Sequence, residues 1–173
     1  MKRIGDLLIV VVCLLVLGPS CTYKLSLAGT SIPPTMKTIR VDFFENNAAL
    51  VVNNLSTQFT EALKDRIRNT TRLAIVTGDA DATMSGSITD YSIAPVSINA
   101  TANNVAPIAG ASRLSITVQV KYVNQIDKKA NFDQSFTKYE NYSGDITTQE
   151  QTLIADINKQ LTEDIFNAAF ANW

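Results

Sequence analysis

Apolar and polar positions fall into a few distinct rhythms along this chain. Residues 7–17 form an unbroken apolar run behind Lys2 and Arg3, closed by Gly18, Pro19, Ser20 and Cys21. Further on, Ile39, Val41 and Phe43 alternate with Arg40 and Asp42, the period-two pattern of a strand with one buried face. Residues 45–54 read as a connector. Leu55, Phe59, Leu63 and Ile67 then recur at helical spacing, which predicts a helix with Asn54 as its N-cap. Residues 73–76 predict a short second strand. A longer strand is predicted over 84–98. There Ile88 lies on one parity and Tyr91 and Ile93 on the other, so a bulge is expected near Asp90. The clearest alternation is Leu114, Ile116, Val118, Val120 and Tyr122, with polar residues between them, as in a half-exposed sheet. A turn over 124–131 leads to a last strand over 132–139. Finally, Ile154, Ile157, Leu161, Ile165 and Phe166 make one helical stripe, continued by Ala169, Phe170 and Trp173. Thr147 with Glu150, or Thr148 with Gln151, offers this helix a capping box.

The predicted order is β-α-β-β-β-β-α, or one strand fewer. The fold class is therefore α+β: a two-layer sandwich in which a mixed four- to five-stranded sheet carries two amphipathic helices on one face. The first β-α-β unit is expected to pair its strands in parallel through a right-handed crossover.

The N-terminal run is a targeting segment. A spanning helix needs about 20 apolar residues, more than residues 7–17 supply, and Gly18-Pro19 would break it. A basic start, an apolar run and small residues predict an export signal. The stretch Leu17-Gly18-Pro19-Ser20-Cys21 resembles a relaxed bacterial lipobox. Cleavage before Cys21 and acylation of its thiol are expected, the attached acyl chains giving a stable anchor. Ordinary secretion with a free Cys21 is the competing reading. Residues 1–20 are thus a lipoprotein signal peptide that is removed. Residues 21–37 are a lipidated tether punctuated by Gly29, Pro33 and Pro34, and 38–173 form a single α/β domain.

Composition narrows the chemistry. Asn, Ser and Thr fill 44 of 173 positions and charged residues only 18%, so the surface is polar but weakly charged. A net charge of −1 gives no footprint for nucleic acid. Histidine is absent, which removes the commonest general base and metal ligand. Asp79 and Asp81 echo a calcium loop but lack the rest of that motif. Asp156, Glu163 and Asp164 form no recognisable acid–base pair. No enzyme activity, cofactor or metal is expected. The basic residues Lys64, Arg66, Arg68, Arg113, Lys121, Lys128, Lys129 and Lys138 read singly as solvated charge. The uncharged segment 99–112 is longer than most loops, and long loops are more often functional or mobile. Asn103, Asn104, Val105, Pro107 and Ile108 are its candidate partner-contact residues. A floppy hairpin end is the plainer alternative.

Several stretches carry a family resemblance. They are Gly29-Thr30-Ser31-Ile32-Pro33-Pro34, Lys37-Thr38-Ile39-Arg40-Val41, and Leu55-Ser56-Thr57-Gln58-Phe59-Thr60-Glu61-Ala62-Leu63-Lys64-Asp65. They continue with Gly86-Ser87-Ile88-Thr89-Asp90-Tyr91-Ser92, Arg113-Leu114-Ser115-Ile116-Thr117-Val118, and Asp164-Ile165-Phe166-Asn167-Ala168-Ala169-Phe170-Ala171-Asn172-Trp173. Together they resemble the lipopolysaccharide-assembly lipoprotein family LptE of the Bacteroidota type. The resemblance implies a lipid-anchored protein on the periplasmic face of the outer membrane. It implies that the protein plugs and helps assemble the LptD β-barrel, through which lipopolysaccharide reaches the cell surface. The implied partners are that barrel, lipopolysaccharide and the membrane. A generic periplasm-facing lipoprotein that binds a lipid or envelope ligand is the alternative.

Overall fold

The computed structural model describes residues 32–50, 52–96 and 111–171. Six strands form one mixed sheet: β1 (Thr38–Val41), β2 (Glu45–Asn46), β3 (Ala74–Ile75), β4 (Ala82–Pro95), β5 (Ala111–Asn124) and β6 (Phe132–Ser143). The strand order is β3-β1-β4-β5-β6, with β2 also pairing with β4. Helix α1 (Leu55–Thr70) and helix α2 (Glu150–Phe170) pack on each other and on one face of the sheet. This is the expected two-layer α+β sandwich, with a slightly larger sheet. As expected, β1 and β3, which flank α1, pair in parallel.

The core follows the predicted stripes. Leu114, Ile116, Val118, Val120 and Tyr122 of β5 are buried, as are Leu55, Phe59, Leu63 and Ile67 of α1. Ile154, Ile157, Leu161, Ile165, Phe166 and Phe170 of α2 close over them. The bulge in β4 is present: Ile88 pairs with Val118 and Asp90 with Thr117, so Thr89 has no partner. That extra residue lets both Ile88 and Tyr91 point inward.

Four local expectations are corrected. First, Phe43 is 55% exposed and Phe44 is the buried ring. Val41 pairs with Met84 but Glu45 with Ser87, so the chain takes one more residue than β4 to cover this edge. The extra residue reverses the alternation between β1 and β2. Phe44 then meets Phe59 edge-on, with centroids 5.1 Å apart, and its N–H donates to the Thr60 hydroxyl. For the same reason the predicted connector contains β2. Second, Asn54 sits at the head of α1 in a left-handed conformation (φ 65°), and its side chain makes no cap bond. Third, neither capping box forms on α2. Thr147 and Thr148 lie in a 3-10 turn in which Asp145 accepts the Thr147 N–H at 3.0 Å. Glu150 instead receives the Tyr91 hydroxyl at 2.7 Å. Fourth, β6 runs four residues further than the predicted end, because Tyr142 pairs with Ser112 and is buried against the core. The strand gives way at Gly144, whose φ of 84° suits glycine.

Candidate functional site

Alternation along β4, β5 and β6 leaves a second sheet face that neither helix covers. Register places Ser85, Ser87, Asp90 and Ser92 of β4 beside Lys121, Gln119, Thr117 and Ser115 of β5. Asp133, Ser135, Thr137 and Tyr139 of β6 complete the rows. The side chains bond across the strands. Thr117 and Thr137 share a hydrogen bond at 2.9 Å, Gln119 donates to Asp133, and Ser135 donates to Gln119. At one corner the Arg113 guanidinium lies 3.8 Å over the Tyr139 ring, while its Nε–H donates to Asn141 at 2.9 Å. Tyr139 is 48% exposed, which leaves an aromatic and a cation together on an otherwise small, polar surface. Such a face presents hydrogen-bonding groups over a broad flat area and little apolar surface.

The two ends of the sandwich differ. At one end, β4 stops at Pro95 and β5 starts at Ala111. At the other, Ile32, Pro33 and Met36 pack beside Tyr122, Asn124, Asp127, Ala130, Ala169 and Phe170, around a void of only about 10 Å³. Asp81 clamps the start of β1 there. One carboxylate oxygen accepts Lys37 N–H, Thr38 N–H and the Thr38 hydroxyl at 2.8, 2.9 and 3.0 Å. The backbone bond from Lys37, then those from Thr38, hold this carboxyl below the ordinary aspartate value. Burial pushes the Tyr122 hydroxyl up to about 12.

Four of the eight predicted basic residues are paired on the surface: Lys64 with Glu61, Arg66 with Glu163, Arg68 with Asp65 and Lys138 with Asp164. A groove of about 510 Å³ between α1 and the β3 edge is lined by Phe43, Leu73 and Val76, and by Arg40, Lys64 and Arg68. Arg40 is itself bound to Asp42 at 3.0 Å. Among the described residues, no group of three or more His, Cys, Asp or Glu side chains is arranged to hold a metal. No described helix is long and apolar enough to cross a membrane. Cys21 and the predicted contact residues Asn103, Asn104, Val105, Pro107 and Ile108 lie outside the described residues. The Arg113–Tyr139–Asn141 corner was not anticipated. Its only sequence signal was the polar alternation of β5, and the register that unites the three needs β6 to run past Tyr139.

No curated protein matches the chain. Solved structures share its fold. The hypothetical protein CT253 from Chlamydia trachomatis is 9% identical with a TM-score of 0.55, covering 79% of this chain and 99% of its own. Protein XCC0632 from Xanthomonas campestris is 8% identical with a TM-score of 0.54, covering 79% and 87%. The rare lipoprotein B from Shewanella oneidensis is 10% identical at 0.46, covering 75% and 92%. At such identities the first two likenesses concern the fold alone, and nothing rests on the third. The family described as LptE, lipopolysaccharide-assembly, matches residues 36–169, which is most of the chain. The protein therefore belongs to the LptE family, non-enzymatic lipoproteins of the cell envelope that serve lipopolysaccharide assembly.

Proposed function

We propose that this protein is anchored in the outer membrane through an acylated Cys21 and plugs the lumen of an LptD-type β-barrel that passes lipopolysaccharide to the cell surface. The observation that carries this reading is the open face of β4, β5 and β6. A lumen of that kind is polar. A plug within it needs a broad surface of hydrogen-bonding groups with few unpaired charges, and this face supplies Ser, Thr, Gln and Asn in paired rows. Dimensions agree. A 14-residue strand such as β5 is about 45 Å long, against about 30 Å for the hydrocarbon core of a bilayer. With the tether at one end of β5, the other end reaches past the membrane. There the candidate contacts Asn103, Asn104, Val105, Pro107 and Ile108, in the segment between β4 and β5, would meet the far mouth of the barrel. The Bacteroidota-type resemblance belongs to this reading.

The test is affinity purification of the tagged protein from gently solubilised outer membranes. A large β-barrel protein is expected to co-elute in equal amount, and depletion is expected to reduce surface lipopolysaccharide. A protein that elutes alone would remove the proposal. The alternative, a generic periplasm-facing lipoprotein that binds a lipid or envelope ligand, gains nothing from the interior. Leu63, Ile116, Ile154 and Ile157 fill the space between sheet and helices at 0% exposure.

A further inference from the structure

Two polar bridges join helices α1 and α2, and they leave a socket between them. At one end Gln58 Nε2 donates to Gln151 Oε1 at 2.9 Å. Further along both helices, an Arg66 guanidinium N–H lies 3.4 Å from both the Lys159 carbonyl oxygen and a Glu163 carboxylate oxygen. Midway, Ala62 and Ala155 follow Gln58 and Gln151 by one turn. Neither side chain is large enough to close the gap. A furrow of about 400 Å³ remains there, lined by Glu61, Ala62, Asp65, Ala155 and Asn158 with the glutamine pair at its head. From Gln58 to Arg66 the helix rises about 12 Å, room for one long side chain.

Asn158 gives this socket its chemistry. It lies on the buried side of α2, one turn after Ile154 and one turn before Thr162, and is only 3% exposed. The stripe around it favours an apolar side chain at this position. Among the described residues, its Oδ1 has no hydrogen-bond partner. A buried acceptor left unpaired is costly, and the terminal torsion of an asparagine is soft enough to turn the amide toward the furrow. Glu61 and Asp65 stand on the rim, their side chains 54% and 59% exposed. Their ion-pair partners, Lys64 and Arg68, line the groove toward β3. The socket thus offers an unpaired amide oxygen at its floor and two carboxylates at its rim. That combination takes a hydrogen-bond donor that carries positive charge.

We infer that the socket between α1 and α2 receives one arginine or lysine side chain from the inner wall of the barrel, its N–H groups donating to Asn158 Oδ1 and its charge facing Glu61 and Asp65. The inference rests on the plug reading, in which the wall surrounds the helical layer as well as the open sheet face. Tagged, acylated protein carrying Asn158→Leu tests it, beside a second variant that combines Glu61→Lys with Asp65→Lys. Recovery of the barrel from gently solubilised outer membranes is measured for each, and urea unfolding of the purified proteins gives their stability. Asn158→Leu removes the unpaired acceptor and fills the floor. An unchanged or raised unfolding midpoint is expected, together with a severalfold loss of recovered barrel. The rim variant alters two exposed side chains, so it is expected to unfold like the parent and to lose as much barrel. Parental recovery with either variant overturns the socket and leaves the plug standing. Should Asn158→Leu lower the midpoint, the rim variant decides alone, by the same two readings. A parent protein that elutes without a barrel overturns the plug reading, and the socket's occupant with it.

Discussion

The Phe44 ring lies where a side chain on Gly86 would have to stand. A Cβ built on Gly86 comes 2.7 Å from the Phe44 ring and 2.0 Å from the Gln119 carbonyl oxygen of the neighbouring strand. The first neighbour is a buried core ring and the second is backbone, so neither yields cheaply. Glycine is used here for close approach, which lets Phe44 reach Phe59 across the edge of the sheet. Gly86→Ala is therefore expected to destabilise the domain by about 3 kcal/mol or more. Urea unfolding of the mature protein measures this, and an unchanged midpoint would contradict the packing described.

The Asp81 clamp predicts a pH dependence. Its hydrogen bonds from Lys37 and Thr38 lower the carboxyl's pKa in the folded state below the ordinary value of 3.8. The unfolded state thus binds the proton more readily. The stability this contributes is present above the unfolded value and is lost as pH falls through the lower, folded one. Asp81→Asn keeps an acceptor oxygen but cannot ionise. Its stability is expected to fall less steeply than that of the parent as pH drops below about 4. Denaturant midpoints taken across that range give the two slopes, which parallel curves would show to be unrelated to Asp81.

Tyr91 ties the head of α2 to β4. Its hydroxyl, on a residue 3% exposed, donates to Glu150 at 2.7 Å. Tyr91→Phe removes a bond to a charged acceptor and is expected to cost about 1.5 kcal/mol. Burial, then the Glu150 bond, raise the hydroxyl's pKa well above the ordinary 10. The folded state therefore holds this proton where the unfolded chain releases it. That contribution is complete below about pH 10 and declines as pH rises further. Absorbance titration of the tyrosines, with and without Tyr91→Phe, is expected to lose one late-titrating group in the variant.

The open sheet face is built for contact more than for stability. Thr117 lies in the middle of it, its hydroxyl exposed to solvent and bonded to Thr137. Thr117→Glu is expected to change unfolding free energy by no more than about 0.5 kcal/mol, yet to abolish co-purification with the barrel. Equal recovery of the barrel with parent and variant would place the contact elsewhere.

The layers of this fold were legible because they follow burial periodicity. The stripe from Ile154 to Phe166 and the alternation from Leu114 to Tyr122 each require only one element to be read. Even the β4 bulge was visible, since Ile88 and Tyr91 cannot share a face without it. What escaped depended on a partner. Phe44 is inward because β4 fixes the register of β1 and β2 separately, a constraint that the local pattern of Phe43 and Phe44 does not carry. Glu150 looked free to cap its own helix until Tyr91, distant in sequence, took it. The Arg113–Tyr139–Asn141 corner exists only once β5 and β6 are aligned.

The most direct trial of the central claim is photocrosslinking in living cells from a benzoylphenylalanine at Thr117. If the polar face of β4, β5 and β6 lines the inside of a barrel, a single adduct with a large outer-membrane β-barrel protein forms. A probe there that reacts only with water-soluble envelope proteins, or with nothing while the protein is present at normal level, would contradict the account.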